Sequence, residues 1–233
     1  IRRARPGYEP DVEEGEALAR ICTQLDGIPL ALELAAARAA TTPLHDLAAA
    51  LDDRFRVLSA TRRDAQPHQR TLEASIRWSH DLLTDGERVT FRRLAVFSGP
   101  FDPTDAVEVD GGPAHEVTAA LGRLVEGSLL AASSDGRLRF LETVRAFAED
   151  RLDESGETSS VRDRHLAWVL TRAEAMTPGF DGPEPADAAA MARRLLNDAR
   201  AAIHHAEQSS QAAAIWRLVD HLAPLGGLKV GVA

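Results

Sequence analysis

The dipeptide Asp135-Gly136 constrains this chain most, because it asks for a β-hairpin in a sequence that otherwise repeats at helical spacing. Asp-Gly favours the left-handed backbone of a two-residue turn, and the runs on either side, 129–133 and 137–141, are short enough to be paired strands. Three helical segments precede it. Residues 71–83 carry Leu72, Ile76 and Leu83 on one stripe, with Trp78 and Leu82 beside it. Thr84 and Glu87 have the spacing of a capping box for a helix with inner residues Phe91, Leu94 and Ala95. Asp102 and Pro103 open a short helix before the third main one, 113–126, which turns Val117, Ala120, Leu121 and Leu124 inward and stops at Gly127. Three helices followed by a hairpin is the order of a winged helix, assigned here to residues 71–156. A further helix from Glu142, with Val144, Phe147 and Ala148 on one face, follows the hairpin directly.

The flanks are helical. Asp11 can cap a first helix whose early turn holds Glu13 and Glu14, and Leu18, Ile21, Cys22 and Leu25 follow one apolar face. Gly27 stops that helix and Pro29 starts the next at a position where its missing N–H costs nothing. That second helix is apolar nearly all round except for Glu33 and Arg38, so it is expected to be buried on most sides. Thr42 and Pro43 precede a third helix with Leu44, Leu47, Ala48 and Leu51 inward. Residues 1–58 therefore read as a small helical subdomain and the polar stretch 59–70 as a linker. Beyond Gly156 come helices with the stripes Leu166, Val169, Leu170, Ala173 and Ala192, Leu195, Leu196, Ala199, Ile203, separated by a loop over 177–185. Ser209 or Ser210 should cap a last helix with Ile215, Leu218, Val219 and Leu222. Residues 157–233 read as the start of a helical repeat array resembling tetratricopeptide units, without a clean 34-residue period. The expected fold class is mainly α: a helical bundle, a winged helix, then a helical array.

Several functions are disfavoured. No Gly-x-x-x-x-Gly-Lys-Ser/Thr run occurs, and the one lysine, Lys229, lacks that glycine context, so no phosphate-cradling loop is expected and no catalytic apparatus is assigned. His204 and His205 are adjacent and point to different sides of a helix, and His115-Glu116 lacks the second histidine of a zinc protease, so no metal site is assigned. Cys22 on an apolar stripe reads as a core residue, and a lone cysteine fits a reducing cytoplasm. No apolar run reaches the roughly 18 residues of a membrane span. The missing initiator Met suggests a piece of a longer chain.

A winged helix raises DNA binding. From Pro113 to Leu141 there are three basic residues (Arg123, Arg137, Arg139) against three acidic (Glu116, Glu126, Asp135), and the whole chain carries a net charge of -9. That balance does not make a phosphate-binding face, so direct DNA contact is not expected.

Four stretches in order resemble one family. GIPLALELAAAR (27–38), preceded by ICTQLD, is similar to the Gly-Leu-Pro-Leu segment of NB-ARC-type STAND ATPases. RTLEASIRWSHDLL (70–83), FRRLAVFSGPF (91–101) and RFLETVRAFAEDRL (139–152) resemble the winged helix of their bacterial branch, the ATPase modules of transcriptional activators with LuxR-type or SARP-type DNA-binding domains. The resemblance implies a regulatory arm that closes over ADP or ATP, with the phosphate loop and Mg²⁺-binding acid in an upstream core. It places Pro29, flanked by Gly27 and Leu30, beside adenine. The family's Met-His-Asp motif falls on Phe140, Leu141 and Glu142, so Leu141 stands where the sensing histidine would be, and Arg145 or a residue of the upstream core would serve instead; Glu142 and Arg145 also begin the helix after the wing, and a helix N-terminus suits an anion. It also implies a protein or small-molecule effector on the helical repeats and a homo-oligomer in the activated state. The alternatives are a DNA-binding winged-helix regulator with a helical dimerisation tail, and a nucleotide-independent scaffold.

Overall fold

The computed structural model describes residues 11–25, 29–39, 42–51, 67–180 and 185–225. Gly27, most of the expected linker and Lys229 lie outside them. The chain divides into two compact units, Ile1–Arg88 with Leu121–Ala131, and Val89–Ala120 with Ala132–Ala233.

In the first unit, helices α1 (Val12–Gln24), α2 (Pro29–Arg38), α3 (44–51) and α4 (Pro67–Asp81) surround one apolar cluster. A capping box starts α1: Asp11 accepts the Glu14 N–H at 2.8 Å, and Glu14 accepts the Asp11 N–H at 3.4 Å. The cluster takes Ala17, Ile21 and Leu25 from α1, Ala31 and Ala35 from α2, and Leu44, Leu47, Ala48 and Leu51 from α3. Cys22 is exposed, against the sequence reading. The buried stripe runs at strict i, i+4 spacing through Ala17, Ile21 and Leu25, and Cys22 is rotated by roughly 100° from Ile21. On α2, Glu33 is exposed, while the Arg38 guanidinium donates to the Ser79 carbonyl at 3.0 Å.

Helix α4 begins at Pro67, four residues before the sequence expectation, because proline tolerates the first helical position. Its Trp78 packs into the bundle cluster, whereas Leu82, expected beside Trp78, is 51% exposed in the turn after the helix.

The second unit carries the end of α5 (Asp85–Arg93), a 3₁₀ turn (Leu94–Val96), α6 (Pro103–Asp110), the start of α7 (Ala114–Glu126), and α8 (Glu142–Ser155) to α11 (Ala212–Leu222). Its core at the wing is aromatic. Phe91 meets Phe140 edge-on at 5.6 Å, and Phe97 stacks on Phe101 at 4.3 Å. Such pairs contribute about 1 kcal/mol each beyond their buried area. Strands β1 (Ala131–Ala132) and β2 (Leu138–Arg139) form the hairpin and are shorter than expected. The turn differs too. Gly136 donates its N–H to the Ser133 carbonyl, Ser133 N–H bonds the Arg137 carbonyl at 2.8 Å, and Gly136 has φ +82°, giving a three-residue turn over 134–136 with glycine in the left-handed position. Phe101 bridges to Leu138 by two backbone bonds of 2.9 Å, a third extended position.

Helices α9 (Thr158–Phe180) and α10 (Pro185–Gln208) run antiparallel: Asp163 meets His205, His165 meets Asp198, and Gly179 lies against Ala188. With α11 they form the repeat-like helical region. The loop expected from residue 177 starts later, since α9 continues through Pro178 to Phe180. Proline there removes one backbone bond near the end of the helix, where Met176 is buried and Gly179 lies against Ala188. Neither serine caps α11. Gln211 precedes it without a side-chain cap, Ser209 donates to the His205 carbonyl, and Ser210 takes φ +58°.

Candidate functional site

Helices α6 and α7 are joined by Gly111, Gly112 and Pro113, and this helix-turn-helix carries the candidate site. Helix α6 is fixed at both ends. Asp102 and Asp105 form a capping box at its start, with the Asp102 N–H reaching Asp105 at 3.0 Å. At its end Gly111 takes φ +77°, and Arg164 donates to the carbonyls of Val109 (2.8 Å) and Asp110 (3.0 Å). A guanidinium there satisfies orphan carbonyls and complements the negative end of the helix dipole. Arg93 adds a bond to the Asp110 carbonyl at 3.2 Å and an ion pair to Glu157 at 2.6 Å.

Helix α7 buries Val117, Ala120, Leu121 and Leu124, as the spacing predicts. Its exposed positions are Ala114, His115, Glu116, Thr118, Ala119, Gly122, Arg123 and Glu126. Arg123 pairs with Glu126 at 2.8 Å and faces Glu87 at 3.6 Å, so its charge is shared between two carboxylates. On the wing, Arg139 is exposed, while Arg137 donates to Asp135 at 3.0 Å. The Ser133 hydroxyl and then that guanidinium hold the Asp135 carboxyl down to about 2.

The residues singled out for nucleotide fall in different units. Pro29 is the first residue of α2 and is exposed, Leu30 follows it in the helix, and Gly27 lies outside the described residues. Glu142 and Arg145 open α8 in the second unit. Arg145 pairs with Glu142 at 2.8 Å and with Glu149 at 2.5 Å, along its own helix. Its hydrogen bond to the Glu142 carboxylate raises its already high pKa further. An anion at this helix start would have to draw Arg145 away from those two carboxylates.

Sequence reasoning missed a buried polar network. Asp198, 2% exposed, accepts the Ser98 N–H at 2.7 Å and contacts His165 Nε2 at 3.2 Å. Asp105 accepts from Trp168 Nε1 at 3.0 Å and from Arg172 at 2.6 Å. The signal was present: Asp198 lies between Leu195 and Ala199 on the apolar stripe of α10, and a carboxylate there needs buried donors.

Residues 83–153 match the family described as winged helix-turn-helix domain. Similar proteins include "Putative HTH-type transcriptional regulator Rv0890c" of Mycobacterium tuberculosis, 36% identical over 229 residues, covering 96% of this chain and 26% of that protein. "Uncharacterized protein Rv0894" of the same species is 37% identical over 188 residues, 78% of this chain and 48% of its own length. "Regulatory protein AfsR" of Streptomyces coelicolor is 30% identical over 171 residues, 70% of this chain and 17% of that protein. The chain thus spans about a quarter of the length of the first relative and about half of the second. No solved structure matches it. Among the described residues, no helix is long and apolar enough to cross a membrane.

Proposed function

We propose that this chain is the winged-helix regulatory segment of a longer transcriptional regulator. The observation that carries this reading is the α6-turn-α7-wing arrangement inside a stretch similar, over 96% of the chain, to a protein named as a transcriptional regulator.

In the reading that the comparisons support best, the winged helix contacts DNA. Helix α7 would lie in the major groove with His115, Thr118 and Ala119 towards base edges, and Arg137 and Arg139 on the wing would meet phosphates. This departs from the expectation drawn from charge alone. With two wing arginines engaged, the logarithm of affinity should fall with the logarithm of salt at a slope of about -2. Fluorescence anisotropy with labelled duplex at several salt concentrations tests this. Absence of saturable binding at low salt, or binding that Arg139→Glu leaves unchanged, would exclude it.

A second reading is favoured by the pairing of Arg123 with Glu126 and Glu87, which leaves α7 with little free positive charge. Here the winged helix is the arm of a nucleotide switch. ADP, held mainly by an upstream core, would sit against Pro29. ATP and an effector on the helical array would shift the population to an open, oligomerising state. The support is the sequence resemblance. In a chain extended upstream, Pro29→Ser should speed ADP loss in a filter-binding assay, and unchanged retention would remove the adenine role.

A further inference from the structure

We propose that the cleft between the wing, α9 and α10 binds a small organic anion, a carboxylate on an aromatic or otherwise apolar body. The cleft encloses about 260 Å³ and lies wholly within the second unit. Its apolar lining comes from Trp168, Met176, Met191 and Leu195. Met191 is 57% exposed, a large apolar side chain that a ligand would cover, and thioether side chains adapt to a ligand's shape.

The charged lining is numerically balanced. Three aspartates and three arginines face the cleft: Asp102, Asp105 and Asp198 against Arg137, Arg172 and Arg194. Asp105 and Asp198 already accept internal donors. Asp102 caps α6, Asp105 holds Trp168 and Arg172, and Asp198 holds Ser98 and His165. Arg194 is exposed and has no ion pair among the described residues, and each guanidinium of Arg137 and Arg172 has more N–H groups than its present partners use. A carboxylate ligand would engage the unpaired Arg194 guanidinium together with the remaining N–H groups of Arg137 and Arg172. Because Asp105 fixes Trp168 and Arg172 in the free protein, part of the site is preformed, which lowers the ordering cost of binding. The volume is slightly below the range of sites for drug-sized ligands and suits a single-ring acid. A ligand there would touch the wing through Arg137 and the helical array through Arg194. Arg137 is shared with the proposed DNA contact, whereas Arg194 is not, so substitution of Arg194 separates the two.

The two methionines of the sequence both line this cleft, so methyl-labelled methionine reports on it alone. Phenylacetate, neutral phenylacetamide and inorganic phosphate are titrated into the 233-residue chain. The expected result is saturable movement of both methyl signals with phenylacetate, weakened at least about tenfold in Arg194→Glu. Arg194→Gln should give an intermediate loss, with free-state methyl spectra unchanged in both variants. Phenylacetamide binding as well as phenylacetate would overturn the anion requirement, and phosphate binding as well would overturn the apolar one. No saturable shift into the millimolar range, or full affinity in Arg194→Glu, would overturn the site.

Discussion

Asp198 on α10 accepts the backbone N–H of Ser98 at 2.7 Å, joining residues 100 positions apart. The same oxygen contacts His165, and both side chains are about 3% exposed. Losing this acceptor leaves a buried N–H and a buried imidazole without their partner. Asp198→Ala should therefore cost about 2–3 kcal/mol, and Asp198→Asn, which keeps an acceptor, distinctly less. Urea unfolding compares the two, and equal effects would mean that packing rather than hydrogen bonding is at stake.

Glu157 gives a pH dependence. Its hydrogen bond from Arg93, with a second from Arg92, lowers its pKa from 4.5. A lowered folded-state pKa stabilises the protein above the unfolded value, and that contribution is lost as pH falls through the folded value. Glu149, raised mainly by burial, acts in the opposite sense. Glu157→Gln should therefore lower stability at neutral pH and flatten its acid-side fall below about pH 4.5, the ordinary glutamate value. Unfolding midpoints across that range measure it, and parallel curves for variant and parent would remove the coupling.

Gly179 is a packing position. A Cβ there would stand 2.9 Å from Ala188 Cβ, so α9 and α10 approach too closely for a side chain. Gly179→Ala should cost about 1–3 kcal/mol by overpacking. Adding Ala188→Gly should recover part of the loss, and calorimetry of the single and double variants tests that.

The wing turn needs glycine at 136, where φ is +82°. Gly136→Ala should lose about 1 kcal/mol. Gly136→Asn should lose less, because asparagine tolerates that backbone, and the thermal midpoints should rank the two accordingly.

The features legible from sequence were local and repeated. Capping signals such as Asp11 ahead of its helix and the pair Thr84 with Glu87 act over a few residues, and the α7 stripe repeats often enough to show its buried face. Features carried by one residue were not legible. Phe101 pairs with the wing through its backbone, which has no periodic signature, and the continuation of α9 past Pro178 depends on α10 packing against it. Asp198 was visible only as a charge on an apolar stripe, whose partners lie far away in the sequence. The candidate site was legible as a topology, helix-turn-helix then wing. The pairing of Arg123 and Arg145 was not, because those contacts depend on side-chain reach and neighbouring carboxylates.

The bridge from Phe101 to Leu138 has a consequence for association. A lone hairpin leaves the outer side of its return strand open to strand addition by another chain. Here β2 is bonded to β1 on one side and to Phe101 on the other, so its outer backbone groups at Leu138 are already taken. The return strand is thereby protected from intermolecular β-pairing at that point, and a partner of the wing would have to recognise it through side chains.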